Sequence, residues 1–230
     1  MRTIGVIGGL SWESTALYYR FMNERARERL GGLHSARLLL WSFDFAKVER
    51  LQAEGDWDGA TALMADAARR LAAGGAELLV IASNTMHRMA DAVEEAAGVP
   101  LLHIADATAA AARRQGVTRP ALLATRYTME QPFYKGRLRE RHGIEALVPD
   151  AGGRELVHRI IYEELCRGIV RPESKRAYVE VVDGLRRQGA DGVILGCTEV
   201  GMLIGPDDVD LPVLDTARLH AEAAVDAALP

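Results

Sequence analysis

The 230-residue chain has only two cysteines, Cys166 and Cys197, too far apart in sequence for a zinc or thioredoxin-type pattern. Its six histidines are scattered, and none takes a metal-ligand spacing such as H-x-x-x-H. No apolar run approaches the length that spans a membrane. The opening Met1-Arg2-Thr3-Ile4-Gly5-Val6-Ile7-Gly8-Gly9 is too short and too broken by glycine to be the apolar core of a signal peptide. There is no basic excess: the formal net charge is −4, which argues against a nucleic-acid or membrane-surface partner. Low-complexity segments and long linkers are absent as well. The glycine-rich turn Gly5-Val6-Ile7-Gly8-Gly9 lacks the G-x-G-x-x-G spacing of a nucleotide loop. These absences predict a cytoplasmic protein with reduced thiols, no metal and no cofactor.

What remains is an ordinary globular composition, 49% hydrophobic and 26% charged. Short Val/Ile/Leu-rich runs at Thr3–Ile7, Arg37–Phe43, Leu78–Ala82, Ala121–Ala124 and Gly192–Leu195 read as strands buried on both faces. Amphipathic stretches such as Thr15–Leu30, Trp57–Ala73 and Ser174–Gln188 lie between them and read as helices. Strand–helix alternation predicts parallel α/β architecture. Trp12, Trp41 and Trp57 read as core residues.

The chain also repeats itself. Gly74-Gly75-Ala76-Glu77 leads through an apolar run to Ser83-Asn84-Thr85, and Gln188-Gly189-Ala190-Asp191 leads through another to Cys197-Thr198-Glu199. The second glycine precedes Ser83 or Cys197 by eight residues in both (75 to 83, 189 to 197). Val99-Pro100-Leu101-Leu102 and Leu211-Pro212-Val213-Leu214 each precede an alanine-rich helix, and the Ile4–Ser11 segment has a counterpart at Ala121–Thr128. Matching order over three segments points to a duplicated α/β unit, and two such lobes would face each other across a ligand cleft.

In parallel α/β folds ligands sit at the carboxyl ends of the strands, where Ser83 and Cys197 fall. Each is followed by residues that can open a helix: Asn84 and Thr85, then Thr198 and Glu199. A helix N-terminus attracts a carboxylate and lowers a nearby thiol's pKa, so Cys197 is expected to be a thiolate base. The Gly5–Gly9 turn is expected to bring backbone close to a small substrate, with Leu10 on the rim. His87 reads as packing or capping in the first helical turn, and Thr128-Met129-Glu130-Gln131 fits a capping box.

Ile4-Gly5-Val6-Ile7-Gly8-Gly9, Ser83-Asn84-Thr85-Met86-His87 and Gly196-Cys197-Thr198-Glu199 resemble the three signature loops of aspartate/glutamate racemases. Ser11-Trp12-Glu13-Ser14-Thr15 and Arg126-Tyr127-Thr128-Met129-Glu130-Gln131 are similar to the broad-specificity amino-acid racemases. The resemblance runs from the first strand to Asp215-Thr216. It implies two flavodoxin-like lobes with parallel sheets and an active site in the cleft between them. The resemblance also implies that the C-terminal helix packs back onto the first lobe, giving lobes of residues 1–98 plus 214–230 and 99–213. It further implies racemisation without pyridoxal phosphate, aspartate and glutamate being the favoured substrates, and a homodimer as the assembly.

The implied roles fall on particular residues. Cys197 exchanges a proton with one face of the α-carbon, and Ser83, directly or through water, serves the other. Asn84, Thr85 and Thr198 bind the α-carboxylate. Glu199 holds the ammonium or orients Cys197. Thr125 and Thr128 either hold a carboxylate or cap a helix. Gln52 either contacts the distal end of the substrate or is a solvated helix residue. One departure matters: where the family has its first cysteine, this chain has Ser83, and Cys166 does not replace it by register. Serine is a poor base without an activating neighbour. Two other readings follow: an arylmalonate-type decarboxylase using Cys197 alone, or a non-catalytic amino-acid-binding protein.

Overall fold

The computed structural model describes residues 1–229, and the chain divides into two units. The first comprises Met1–Ile104 and the stretch from His220 onward; the second comprises Ala105–Leu219. The boundaries expected at 98/99 and 213/214 therefore fall at 104/105 and 219/220. The reason is strand pairing. Leu101 bridges to Leu79 and so stays with the first sheet, while Val213–Asp215 pairs with the second. Pro230, the last residue of the expected first lobe, lies outside the described residues.

The first unit holds strands β1 (Ile4–Gly8), β2 (Leu38–Ser42) and β3 (Leu78–Ile81), all parallel, in the order β2-β1-β3. Its helices are α1 (Trp12–Leu30), α2 (Phe45–Glu54), α3 (Trp57–Ala73) and α4 (Ala90–Ala97). Helix α5 (Ile104–Arg114) leads into the second unit, where β4 (Ala121–Leu123), β5 (Val193–Leu195) and β6 (Val213–Asp215) form a parallel sheet ordered β4-β5-β6. Helices α6 (Arg126–Glu130), α7 (Pro132–His142), α8 (Ala151–Glu163) and α9 (Pro172–Arg187) belong to this unit, and α10 (Thr216–Ala228) carries the chain back to the first. Among the described residues, no helix is long and apolar enough to cross a membrane.

The duplication read from the sequence is carried by backbone hydrogen bonds. After α3, Gly75 takes φ 99° and Ala76 N–H donates to Leu71 O; after α9, Gly189 takes φ 95° and Ala190 N–H donates to Leu185 O. Both turns end a helix with a positive-φ glycine and feed the chain into a buried strand. Leu79 N–H donates to Pro100 O just as Val193 N–H donates to Pro212 O. Ser83 and Cys197 thus each stand two residues beyond the equivalent strands β3 and β5.

Residues of β1, β3, β4 and β5 are buried throughout, but β2 is partly exposed because it forms the edge of its sheet. Ile7, Leu10, Val48, Met64, Leu79, Ile81, Met86 and Val93 join one core in the first unit. Burying each large apolar side chain is worth roughly 1.5–3 kcal/mol. Trp41 and Trp57 pack against this core, whereas Trp12 is 69% exposed on the first turn of α1 and is not a core residue.

Candidate active site

In the first unit the loop after β3 gathers buried polar side chains. Ser83, Asn84 and Thr85 are all buried, and a short 3-10 turn over Thr85–Met89 follows in place of an α-helix. The Ser83 hydroxyl oxygen accepts only a long bond, 3.4 Å, from Met86 N–H. Gln52, expected as solvated or substrate-contacting, is buried on α2 and donates its amide to Met86 Sδ at 3.1 Å, so the solvated reading is wrong. The turn after β1 also differs from expectation. A Cβ on Gly9 (φ 71°) would come within 2.3 Å of the backbone N and O of Phe43. The missing side chain thus serves the approach of this unit's own backbone. Leu10 is not on a rim; it is part of the core.

The same turn is laced to α1. Thr15 Oγ1 accepts from Gly9 N–H at 2.7 Å and donates to Ser11 O at 2.8 Å, and Ser11 caps the helix by accepting from Ser14 N–H.

In the second unit Gly196 brings the loop after β5 tight against β4, for a Cβ there would lie 2.6 Å from Leu122 Cδ1 and 3.0 Å from Ala124 Cβ. Cys197 follows, 8% exposed, and donates Sγ–H to Glu199 Oε2 at 2.8 Å. Thr198 Oγ1–H donates to the same oxygen at 2.9 Å. All three side chains are buried. Thr125 and Thr128 are a second pair: Thr125 caps α6 by accepting from Thr128 N–H, and the two hydroxyls lie 3.3 Å apart. The cap is therefore Thr125, not Thr128, whose own place is the third residue of the helix.

The electrostatics of Cys197 run opposite to expectation. Burial, then the negative charge of Glu199, then Cys166 hold its thiol well above the ordinary range. The expected thiolate relied on a helix N-terminus, but only a three-residue 3-10 turn, Val200–Met202, follows the loop. A carboxylate stands where a positive helix end was expected, so Cys197 rests as a thiol. Cys166 itself lies in the 3-10 turn Leu165–Arg167 that follows α8.

The ten expected site residues are thus all buried, five in each unit. Within the first unit Gln52 meets the Ser83 loop through Met86; within the second Cys197, Thr198 and Glu199 form one hydrogen-bonded set. The sequence reading missed a buried cluster of His87, His103 and His220 beside the Ser83 loop, since nothing in their spacing announces it. Among the described residues, no group of three or more His, Cys, Asp or Glu side chains is arranged to hold a metal ion.

Residues 7–224 match the Asp/Glu/Hydantoin racemase family. The structure of a candidate Asp/Glu racemase from Yersinia pestis is 53% identical, covers 100% of both chains and superposes with a TM-score of 0.92. An aspartate racemase homologue from Pyrococcus horikoshii OT3 is 36% identical, with 99% of each chain covered and a TM-score of 0.85. The broad specificity amino-acid racemase of Bacillus subtilis is 20% identical over 181 residues, 74% of this chain and 73% of that one. A duplicated parallel α/β fold, a buried thiol loop in the second unit and a match over nearly the whole length lead to one conclusion: this chain belongs to the Asp/Glu/hydantoin racemase family.

Proposed function

We propose that the chain racemises amino acids, aspartate and glutamate foremost, by direct proton transfer at the α-carbon without a cofactor. The observation that carries this reading is the Cys197–Glu199 hydrogen bond at the carboxyl end of β5, at the position equivalent to Ser83 after β3. A resting thiol must lose its proton before it can act as a base. Glu199 Oε2 is placed to take that proton as sulfur takes the α-proton. The carbanion is then protonated on its other face by the Ser83 hydroxyl, directly or through a water, and Ser83 regains a proton from solvent. For the reverse direction the same groups act in reverse order.

Asn84 and Thr85 are assigned to the α-carboxylate, with the N–H groups of the Cys197–Glu199 loop. The Thr198 hydroxyl is directed at Glu199, so it supports the carboxylate that serves Cys197. Thr125 and Thr128 supply hydroxyls for a second carboxylate, which favours dicarboxylic substrates.

A second reading has its own support. A thiol protonated at rest is ready to quench a carbanion, which is what an arylmalonate-type decarboxylase asks of a single cysteine. Purified protein, dialysed against a chelator, should be incubated with each proteinogenic L-amino acid and separately with aromatic malonates. Accumulation of D-aspartate or D-glutamate supports racemisation. Decarboxylation of the malonates with every amino acid unchanged would overturn it.

A further inference from the structure

Behind the Ser83 loop, three imidazoles are buried together. His87 lies in the 3-10 turn that follows Ser83; its ring centroid is 4.5 Å from that of His103 and 5.4 Å from that of His220. Tyr18 of α1 closes the cluster edge-on to His220. The shortest hydrogen bonds select one tautomer for each of two rings, with the Leu102 carbonyl also lying against the His87 ring. Ile104 N–H can only donate, and it donates to His87 Nε2 at 3.2 Å. In the neutral ring the proton must then sit on Nδ1, and Nδ1 faces Ser83 O, which can only accept, at 2.7 Å. In His220, Nε2–H donates to Leu102 O and Nδ1 accepts from Tyr18 O–H, both at 2.8 Å.

This network spans a particular place in the chain. Ile104 is the last residue of the first unit's N-terminal part, and His220 is the first of its C-terminal part. The two ends are joined through Leu102 and then, by way of Ile104 and His87, reach the carbonyl of Ser83. That carbonyl is held at 2.7 Å, whereas the Ser83 hydroxyl receives only the 3.4 Å contact from Met86 N–H. The bond on the carbonyl thus anchors the backbone from which the Ser83 hydroxyl projects.

We propose that His87 is a positioning residue for Ser83: its Nδ1–H bond to the Ser83 carbonyl, backed by Ile104 N–H on Nε2, aims the Ser83 hydroxyl at one face of the substrate's α-carbon. This rests on the racemase reading. Burial, followed by the proximity of His103 and His220, holds the His87 imidazole neutral, as the assigned tautomer requires.

Asparagine and glutamine divide the two functions of the ring. In His87→Asn the amide N–H takes the place of Nδ1–H and keeps the bond to Ser83 O. In His87→Gln the amide oxygen takes the place of Nε2 and keeps only the bond from Ile104. With aspartate in heavy water, α-proton inversion and α-proton exchange are measured for wild type and both variants. His87→Gln should lower kcat for inversion about 10- to 100-fold, with KM within about twofold, because misplacing a reacting group by an ångström has effects of that order. Exchange on the Cys197 face should stay within about threefold, and His87→Asn should recover most of the inversion. Equal losses in the two variants, or inversion and exchange falling together, would reduce His87 to a structural role and overturn the proposal. Imidazole nitrogen NMR of the wild type needs no variant to fold: His87 must appear neutral with its proton on Nδ1, and a proton on Nε2 sinks the assignment. Wild type that neither inverts nor exchanges any amino acid fails the racemase reading itself, and the role of His87 falls with it.

Discussion

Cys197 donates its thiol proton to Glu199 Oε2 over 2.8 Å, and Thr198 donates to the same oxygen over 2.9 Å. Sulfur, carboxylate and hydroxyl form one buried set in which the carboxylate accepts from both neighbours. Burial first, and the charge of Glu199 second, keep the thiol protonated. In the proposed mechanism the same carboxylate receives the thiol proton, so the site rests as an acid and becomes a base only as it reacts.

Glu199→Gln separates these two effects. The amide cannot take the thiol proton, so inversion should fall about 10²- to 10⁴-fold, the usual worth of a placed acid or base. Burial is the first cause that raises the Cys197 thiol, and the charge of Glu199 is the second. Removing that charge should lower the thiol's pKa, and alkylation of Cys197 by iodoacetamide should start at lower pH than in wild type. Slower alkylation alongside the lost activity would contradict the role given to Glu199.

The acid stability of the first unit follows from His87. Its pKa lies well below the ordinary 6.5, so the folded form binds fewer protons than the unfolded chain once the pH drops below that value. Stability is complete above about pH 6.5 and declines as the pH falls below it, with a slope of up to about 1.4 kcal/mol per pH unit for one proton. His103 and His220 face the ring and Tyr18 completes the cluster, so no carboxylate among these contacts offsets a charge. Urea midpoints between pH 7 and 5 should decrease in wild type and decrease less in His87→Asn. Parallel curves would show that His87 does not carry the effect.

Gly9 offers a test of the fold beside the site. Alanine there must accept φ 71° and a Cβ 2.3 Å from the backbone of Phe43, and backbone cannot swing aside as a side chain can. The left-handed strain and the overlap together predict a loss of roughly 2–5 kcal/mol, read from urea unfolding. Gly55→Ala, at φ 73° and ψ 15° but with open space around its Cβ, should lose only the left-handed strain, about 1–2 kcal/mol. Equal losses at the two positions would mean that the approach to Phe43 is not what requires glycine.

Much of this was legible in the sequence. Strand–helix alternation gave the parallel sheets, and the recurrence of glycine turn, apolar run and polar loop at the same spacing gave the positions of Ser83 and Cys197. Periodicity located α3 to the residue, because its apolar face and its capping Asp56 are both written locally. Side-chain direction was not legible. The spacing of Cys197-Thr198-Glu199 does not decide whether Glu199 holds the ammonium or orients Cys197, and with its charge beside the sulfur left out the thiol's pKa is expected to shift the wrong way. The histidine cluster joins positions 87, 103 and 220, contacts that only the folded chain creates. Leu10, expected on the rim of the substrate site, is core, since the turn after β1 packs inward where Gly9 meets Phe43.

The central claim is proton transfer with one thiol and one hydroxyl, and heavy water tests it most directly. L- and D-aspartate are incubated separately, with the α-proton followed by NMR and the enantiomers by chiral chromatography. Enantiomers have equal free energy, so kcat/KM for inversion must be the same in both directions, and the asymmetry has to show in exchange. Cys197 can remove a proton, trade it with solvent through Glu199 and return deuterium to the same face. Among the described residues the Ser83 hydroxyl meets Met86 N–H and its carbonyl meets His87, and neither contact is a carboxylate. One enantiomer should therefore exchange its α-proton several times faster than it inverts, while the other should exchange only as it inverts. Cys197→Ala should abolish both processes, and Cys166→Ala should leave them nearly intact. Equal exchange-to-inversion ratios for the two enantiomers, or full activity in Cys197→Ala, would contradict the account.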